Sequence, residues 1–262
     1  MDKRALCIGI NDYPGTGSDL AGCVNDANDW AEALTARGFE VALMLDAAAT
    51  RQAMLDDMGK LVSAADSGDV VVITYSGHGT WVPDTDGDEK DLRDEALCPH
   101  DLRTAGAIID DELFELFSAR KRGVRAVLIS DSCHSGTLQR LAPPIGDNPV
   151  TVRFLAPEVF LPADQRALAE RASVAERAGR PRRSALVLAG CRDTEYAYDA
   201  SFGDRPNGAF SYVALQALRQ LPAGATYRDW FASIRQQLPS ADYPQTPQLD
   251  GTSSQRRWAA LG

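Results

Sequence analysis

Two glycine-rich segments carry the residue types that a cysteine nucleophile requires. His78 lies between Gly77 and Gly79, and Cys133 lies in the segment SDSCHSG at residues 130–136. A cysteine attacks a carbonyl carbon as the thiolate, and it therefore needs a neighbouring group that accepts its proton. A neutral imidazole is such a group. We therefore predict that Cys133 is a nucleophile and that His78 is its general base.

Each of these residues also has an ordinary structural interpretation. An isolated cysteine is most often a small buried apolar residue, and an isolated histidine is most often structural. The chain has three histidines, and two of them lie in the glycine-rich segments. His134 directly follows Cys133 and is expected to point away from it, while His100 follows Cys98 in an acidic region that lacks glycine. His78 is therefore the preferred base.

The predicted fold brings the two segments together. Residues 70–75 and 126–129 are apolar runs of the buried-strand type, and one segment follows each run. In an open parallel sheet, functional sites form beyond the carboxyl ends of the strands. His78 and Cys133 are thus predicted to meet at one edge of the sheet. The amides of Gly79 and Cys133 are predicted to point at the negatively charged oxygen that forms during the attack.

The rest of the chain alternates between strand and helix patterns. Apolar runs predict six strands, and apolar residues at helical spacing predict five helices. The predicted strands are 5–10, 41–45, 70–75, 126–129, 185–189 and 247–249, and the predicted helices are 23–34, 50–65, 110–120, 210–218 and 227–238. Thr50 is expected to cap the second helix, and Asp110 or Asp111 the third. This order predicts an α/β fold with a mostly parallel sheet and helices on both faces.

The composition is that of a globular protein and argues against several classes of function. The hydrophobic fraction is 44%, the charged fraction is 24%, and 262 residues suit one large α/β domain. A net charge of −10 argues against nucleic acid and against anionic membrane surfaces as partners. The five cysteines include no CxxC pair and predict free thiols rather than disulfides or a zinc site. Because no signal peptide or long apolar run is present, we predict a cytoplasmic protein.

Six sequence motifs resemble those of bacterial metacaspases and related caspase-fold peptidases. They are ALCIGINDY at 5–13, LAGCVNDA at 20–27, YSGHG at 75–79, DSCHSG at 131–136, AGCRD at 189–193 and GAFSY at 208–212. The resemblance implies a caspase-like three-layer sandwich around a six-stranded sheet, a Cys133–His78 dyad, and hydrolysis of peptide bonds through an acyl-enzyme. It also implies a monomer with a single peptidase domain over 1–262. The large-subunit-like part, the linker and the small-subunit-like part are 1–137, 138–183 and 184–262.

The resemblance further implies a basic side chain on the substrate residue before the scissile bond, the P1 residue. Asp26 and Asp131 match the acidic pocket positions of metacaspases, and Cys23 and Ser76 match their neighbours. Carboxylates in a partly dry pocket favour a guanidinium group, because it forms two parallel hydrogen bonds with a carboxylate. From the residues alone, Asp26 also fits a cap in a first helical turn, and Asp131 also fits a role in orienting the nucleophile loop.

Many metacaspases require calcium, and the resemblance therefore implies Ca²⁺ as an activator. The matching ligand positions are Asp94, Asp110 and Asp111. A further ligand position of the family, seven residues after the nucleophile, is Arg140 in this chain. The loop 84–95 has acids at EF-hand spacing, but Glu89 occupies the position where that loop requires glycine. From the residues alone, the loop is also a solvated acidic surface.

The linker stretch 138–183 has little periodicity apart from a helical pattern at 168–178. It carries eight arginines, and exposed irregular segments are where proteolysis concentrates. An enzyme that cleaves after arginine is therefore predicted to cut its own chain near Arg180 to Arg183.

The sequence leaves other functions open. A peptidase could use the same dyad with another P1 preference. A caspase-fold pseudo-enzyme could serve as a binding scaffold, although a scaffold needs neither the cysteine nor the histidine. A nucleotide-binding domain is disfavoured, because neither a GxxxxGK[ST] loop nor a GxGxxG turn follows a strand.

Overall fold

A six-stranded sheet forms the centre of the fold. The computed structural model describes residues 1–84, 93–134, 150–163, 165–166, 168–169 and 184–262. In the order in which they lie side by side, the strands are Gln248–Asp250 (β12), Leu186–Ala189 (β9), Arg125–Asp131 (β7), Val70–Ser76 (β3), Lys3–Gly9 (β1) and Glu40–Leu45 (β2). All neighbours are parallel except β12, which runs antiparallel to β9. The predicted α/β fold is therefore confirmed, and each strand lies within two residues of its predicted limits.

The sheet is buried on both faces. In β3, Val70 and Val72 pack into one apolar cluster, and Val71 and Ile73 pack into the other. A strand that is covered on both sides needs apolar residues at successive positions, and this explains the unbroken apolar run at the start of β3. Strands β9 and β12 come from the last third of the chain, yet they lie in the same sheet as β1, β2 and β3.

Helices cover both faces of the sheet and complete the three layers. They are Cys23–Thr35 (α1), Arg51–Ala64 (α2), Leu102–Ala105 (α3), Asp110–Ser118 (α4), Ala209–Arg219 (α5) and Tyr227–Ile234 (α6). Helices α1, α5 and α6 cover one face, where the rings of Trp30 and Trp230 meet edge to face at 6.0 Å. Helices α2 and α4 cover the other face. None of the helices in the described ranges is long and apolar enough to cross a membrane.

The helix ends agree only partly with the sequence predictions. Thr50 caps α2 as predicted, since its hydroxyl oxygen accepts a hydrogen bond from the Ala53 amide at 3.3 Å. The predicted cap at Asp110 or Asp111 is wrong, because α4 begins at Asp110, and the side chain of Glu112 accepts a hydrogen bond from the backbone amide of Ile109, the residue before the helix. Both aspartates instead lie in the first turn, where the helix dipole favours negative charge. Helix α6 ends at residue 234, short of the predicted 238.

Two three-stranded sheets beside the main sheet were not predicted. One consists of Gly79–Pro83 (β4), Arg93–Leu97 (β5) and Ile108–Ile109 (β6). The other consists of Thr151–Val152 (β8), Tyr198–Phe202 (β10) and Arg205–Gly208 (β11). These strands are short, and several contain proline, glycine or charged residues. Of these strands only β10, with the sequence YDASF, alternates between apolar and polar residues, and the sequence prediction missed it.

The first turn of α1 lies directly against the end of β1. A Cβ atom at Gly9 would lie 2.4 Å from the carbonyl oxygen of Cys23 and 2.8 Å from the Cβ atom of Ala27. Glycine is therefore required at this position, since any side chain would push the helix away. The close approach lets α1 place Cys23 and Asp26, both fully buried, over the carboxyl edge of the sheet.

Gly9→Ala should lower the free energy of unfolding by ~1–3 kcal/mol, because the added methyl group must displace the backbone of α1. Gly59→Ala is the matched control, because Gly59 lies inside α2 and a Cβ atom there meets no atom within 4 Å. Alanine favours a helix interior over glycine, so the control should raise the free energy of unfolding by ~1 kcal/mol. Urea unfolding measures both changes. Equal stability of the two variants would contradict the close packing of α1 on β1.

Candidate active site

Cys133 and His78 lie beyond the same edge of the main sheet. Strands β3 and β7 are parallel neighbours, with Ser76 opposite Asp131. Each of the two residues follows its strand end by two positions, and both are fully buried. The backbones touch at this point, because a Cβ atom on Gly79 would lie only 2.2 Å from the carbonyl oxygen of Cys133. The glycine after His78 thus permits an approach that any other residue would prevent.

The imidazole of His78 is held in one tautomer. Its Nε2 atom lies 2.6 Å from the carbonyl oxygen of Ser18. A carbonyl oxygen can only accept, so Nε2 carries the hydrogen and Nδ1 keeps its lone pair. Nδ1 is buried and has no hydrogen-bond partner among the described residues. The backbone amide of His78 donates to the Tyr13 hydroxyl at 2.8 Å, and the Tyr13 ring packs on the imidazole.

Burial keeps this imidazole neutral. Removal from water disfavours the charged form and lowers the pKa of His78 to about 4, although the hydrogen bond to Ser18 acts in the opposite direction. At neutral pH the free lone pair on Nδ1 is therefore available to accept a proton. This is the protonation state that a general base needs before it acts.

The other two histidines interact elsewhere. The Nδ1 atom of His134 lies 3.1 Å from the carbonyl oxygen of Ala96 and 3.3 Å from that of Thr80, so its ring is directed at strands β4 and β5. The imidazole of His100 lies 3.3 Å from a carboxylate oxygen of Asp12.

A fully buried arginine, Arg153, occupies a pocket of three carboxylates next to these residues. Its Nη2 atom lies 2.7 Å from Asp26 Oδ2 and 2.9 Å from Asp199 Oδ1. Its Nη1 atom lies 3.2 Å from Asp131 Oδ2. Burial disfavours the charged guanidinium, but the carboxylates outweigh this effect and raise the pKa of Arg153 well above its usual range. We call Asp26, Asp131 and Asp199 the acidic pocket.

The carboxylate of Asp26 accepts hydrogen bonds from residues at the end of β11. Asp26 lies in the first turn of α1 and accepts from Asn207 Nδ2 at 2.9 Å and from the Gly208 amide at 3.0 Å. Burial raises the pKa of Asp26 to about 7, while Arg153 and Asn207 act to lower it. The carboxylate is therefore costly to keep ionised even beside the guanidinium of Arg153, and the cost would be larger without a cation.

The other two carboxylates also accept backbone amides. Asp131, at the end of β7, accepts from the Ser211 amide at 2.8 Å in the first turn of α5. Asp199, on β10, accepts from the Ala21 amide at 2.7 Å and from the Gly22 amide at 3.1 Å. Charge-assisted bonds of this kind fix both carboxylates in place, so the pocket is already shaped for a planar cation.

The backbone of Arg153 also makes specific contacts. Its carbonyl oxygen accepts from the amide of Gly79 at 2.9 Å and from the amide of Cys133 at 3.2 Å. Its own amide donates to the carbonyl oxygen of Ala197 at 2.9 Å, and the amide of Leu155 donates to the carbonyl oxygen of Gly79 at 2.9 Å. Just before it, β8 pairs antiparallel with β10. The chain from 151 to 155 therefore crosses the site with both ends anchored.

The remaining predicted pocket residues lie beside the carboxylates. Cys23 precedes Asp26 by one helical turn, and Ser76 lies opposite Asp131 in the sheet register. Both are buried, and neither forms a hydrogen bond to the Arg153 guanidinium among the described contacts. Burial is the main cause that raises the pKa of Cys23 well above its usual range, so this side chain is a neutral thiol.

Three groups of the candidate active site were not identified from the sequence. The Ser18 carbonyl has no sequence signal, because every residue carries one. Asp199 lies on β10, whose sequence YDASF alternates between apolar and polar residues over only five positions, and Arg153 is one of eight arginines in the linker. The predicted cleavage region from Arg180 to Arg183 lies outside the described ranges, as does most of the predicted helix 168–178.

The predicted calcium ligands lie on β5 and α4. Asp94 and Asp110 are buried, and the pairing of Ala96 with Ile109 brings the start of α4 beside β5. Within the described ranges, no three His, Cys, Asp or Glu side chains are grouped so that they could hold a metal ion. Residues 85–92 and 135–149, which include Arg140, lie outside those ranges. The described residues alone therefore do not form a calcium site.

The sequence matches the family model of the metacaspase, peptidase C14 domain, over residues 3–142. Metacaspase-1 of Cryptococcus neoformans is 32% identical over 95% of this chain and 62% of that protein. Metacaspase-1B of Neosartorya fischeri is 32% identical over 98% of this chain and 70% of that protein. The chain thus spans less than two thirds of the length of the Cryptococcus relative.

A solved structure resembles the fold over its whole extent. The crystal structure of protein GSU0716 from Geobacter sulfurreducens has a TM-score of 0.74 and 30% sequence identity, and the match covers 100% of this chain and 98% of that one. The three-layer arrangement is therefore shared with a protein of closely similar length.

Proposed function

The chain belongs to the metacaspase family of cysteine peptidases, and we propose that it is an endopeptidase that cleaves after arginine, and less readily after lysine, through Cys133 and His78. One observation carries this proposal. The guanidinium of Arg153 lies in the acidic pocket, while its carbonyl oxygen accepts from the amides of Gly79 and Cys133. A peptide of the protein itself thus takes the position that a P1 arginine would need.

The proposed reaction uses the groups around that carbonyl. His78 Nδ1 takes the proton of the Cys133 thiol, and the thiolate attacks the carbonyl carbon of the P1 residue. The oxygen becomes negatively charged and is stabilised by the two amides. His78 then gives the proton to the leaving amine, and a thioester remains on Cys133. Water, deprotonated by His78, hydrolyses the thioester and restores the thiol.

The carbonyl oxygen of Ser18 supports the proton transfers. Its hydrogen bond holds the imidazole orientation and becomes stronger when the ring is charged, because the acceptor then faces an imidazolium N–H. It therefore takes the orienting position that a carboxylate occupies in serine peptidases with a catalytic triad.

The shape of the acidic pocket favours arginine over lysine. One guanidinium nitrogen contacts Asp26 and Asp199, while the other contacts Asp131. A lysine ammonium is a single point of charge and cannot reach both sides of the pocket in this way. An acidic P1 side chain would meet three carboxylates and be repelled.

We also propose a monomeric cytoplasmic enzyme that acts on proteins with exposed basic residues and is stimulated by calcium. The net charge of −10 favours basic peptides over nucleic acid or anionic membranes. The five cysteines are free thiols, which is consistent with a reducing compartment. The proposed stimulation by calcium rests on the family resemblance, and a chelator control in the peptide assay tests it.

Matched fluorogenic peptides that end in Arg, Lys or Asp test the proposed specificity. Cleavage after Arg should exceed cleavage after Lys by at least ~10-fold, since lysine loses charge-assisted hydrogen bonds, and the Asp peptide should remain uncut. Cys133→Ala should reduce the rate more than ~1000-fold. Each assay is run with calcium and with chelator. Failure to cut any peptide in the presence of calcium would favour a binding scaffold, and equal cleavage of all three would favour another P1 pocket.

Asp199→Asn should reduce kcat/KM for the Arg peptide by ~10–100-fold, because the pocket loses one charged acceptor. The effect on the Lys peptide should be smaller, so that the Arg-to-Lys ratio falls. Asp204→Asn is the matched control, since Asp204 is exposed in the turn between β10 and β11. Steady-state kinetics of both variants measure the change. An unchanged ratio in Asp199→Asn would exclude Asp199 from P1 recognition.

The pH dependence of kcat tests the protonation state of His78. A bound substrate peptide should bury His78 as residues 151–155 do in this structure. The pKa of the imidazole buried in this way is about 4. A protonated imidazole cannot accept a proton, so kcat should fall as the pH is lowered through that value and should hold from neutrality down to ~5. A kcat that already falls by half near 6.5, the ordinary histidine value, would contradict the buried neutral base.

A further inference from the structure

A basic cavity lies at the edge of the main sheet that is opposite the candidate active site. Two segments form most of its wall: residues 118–125, which lead from α4 into β7, and residues 252–258. The cavity has a volume of about 590 Å³, which is in the range of pockets that hold small-molecule ligands. Arg125 begins β7 and Asp131 ends it, so the length of this strand places the cavity ~20 Å from the nucleophile loop.

The wall of the basic cavity is positively charged in an otherwise acidic protein. Segments 118–125 and 252–258 contain six of the 27 lysines and arginines and none of the 37 acidic residues. Four basic side chains line the cavity itself: Arg120, Lys121, Arg122 and Arg125. Lys121 pairs with the exposed carboxylate of Asp66 at 2.8 Å. Among the described residues, no aspartate or glutamate forms an ion pair with the three arginines, so their charges are available to a ligand.

Backbone hydrogen bonds hold both sides of the cavity in place. On one side, the carbonyl oxygen of Gly123 accepts from the Gly68 amide at 3.1 Å. On the other side, the carbonyl oxygen of Trp258 accepts from the Tyr227 amide at 3.1 Å. The charged side chains therefore extend from a backbone that is already ordered. Such preorganisation lowers the entropic cost of binding a ligand.

An aromatic ring forms part of the same wall. Trp258 lines the cavity, is half-buried, and packs against the apolar cluster between the main sheet and helices α1, α5 and α6. Packing of this kind restricts the indole and makes it a platform on which a planar ring can stack. Thr252, Ser254 and Gln255 also line the cavity and carry hydroxyl and amide groups that can form hydrogen bonds to a sugar or a phosphate.

We propose that the basic cavity binds a nucleoside polyphosphate, with its phosphates on the arginines and its base on Trp258. A guanidinium group binds two phosphate oxygens through parallel hydrogen bonds. Consecutive phosphates concentrate several negative charges in one cavity, whereas the carboxylates of an acidic peptide are spread along its backbone. The aromatic wall favours a ligand with a planar ring over inorganic polyphosphate.

This binding site is separate from the peptidase site and differs from the common nucleotide-binding domains. Its cations are side chains from two segments of the wall, so it does not need the GxxxxGK[ST] loop that the sequence lacks. The net charge of −10 disfavours long polyanions such as nucleic acid, because they extend over the acidic remainder of the surface. A small ligand that fits inside the cavity meets the basic wall alone.

Isothermal titration calorimetry of the full-length protein tests the proposal. ATP, tripolyphosphate and a hexaglutamate peptide are titrated separately in magnesium-free buffer. ATP should bind at one site per chain with a Kd below ~1 mM. Tripolyphosphate should bind ~10-fold more weakly, because it has no ring to stack on Trp258. The peptide should bind more weakly than either, and added salt should weaken the binding of ATP.

Two variants distinguish the phosphate contacts from the stacking contact. Arg122→Gln should weaken the binding of both ATP and tripolyphosphate by ~10-fold, because charge-assisted hydrogen bonds are lost. Trp258→Leu should weaken the binding of ATP by ~10-fold and leave tripolyphosphate unchanged. Arg219→Gln is the matched control, since Arg219 is exposed at the end of α5 and does not line the cavity, and it should bind ATP like wild type. If Trp258→Leu does not fold, Arg122→Gln still decides the question, because Arg122 is an exposed side chain.

Three results would overturn the nucleotide site. The first is no saturable binding of ATP by wild type. The second is binding of ATP that Arg122→Gln leaves unchanged, which would place the ligand elsewhere on the protein. The third is tighter binding of tripolyphosphate or hexaglutamate than of ATP, which would assign the cavity to inorganic polyphosphate or to an acidic protein segment. None of these measurements uses peptide hydrolysis, so they are independent of the proposed function.

Discussion

The contact between one buried guanidinium and three buried carboxylates organises the edge of the main sheet. Asp26 belongs to α1, Asp131 to β7 and Asp199 to β10, and these elements come from distant parts of the chain. Each carboxylate also accepts backbone amides that neighbour the site. The positions of the nucleophile loop, the first helix and the second small sheet are thus linked through a single cation.

Such a contact is a poor source of stability. Removing charges from water costs several kcal/mol for each ion, and the attraction between them recovers this only with good geometry. Three carboxylates around one cation leave an excess of negative charge. Burial is the main cause that raises the pKa of Asp26, and the neighbouring carboxylate of Asp131 raises it further. The arrangement is easier to explain as a recognition site than as a structural ion pair, because an excess of negative charge favours binding of a cation from outside.

The sequence allowed prediction of the parts that depend on regular patterns. The strands of the main sheet carry long apolar runs, and Cys133 and His78 follow two of them in glycine-rich segments. Motif resemblance pointed to Asp26 and Asp131. Asp199 and Arg153 were not predicted, because they meet the other groups through the small sheet of β8, β10 and β11, whose strands are short and of which only β10 alternates between apolar and polar residues. The Ser18 carbonyl was equally inaccessible, since a backbone atom that orients a side chain leaves no residue-type signal.

A covalent probe can show whether the acidic pocket selects arginine for attack by Cys133. A peptidyl acyloxymethyl ketone that ends in arginine, and its counterpart that ends in aspartate, are each incubated with the protein in the presence of calcium, and the modified residue is mapped by mass spectrometry. The arginine probe should label Cys133, and the aspartate probe should not. Equal labelling by both probes, or labelling by the arginine probe at another of the five cysteines, would contradict an arginine pocket built around this nucleophile.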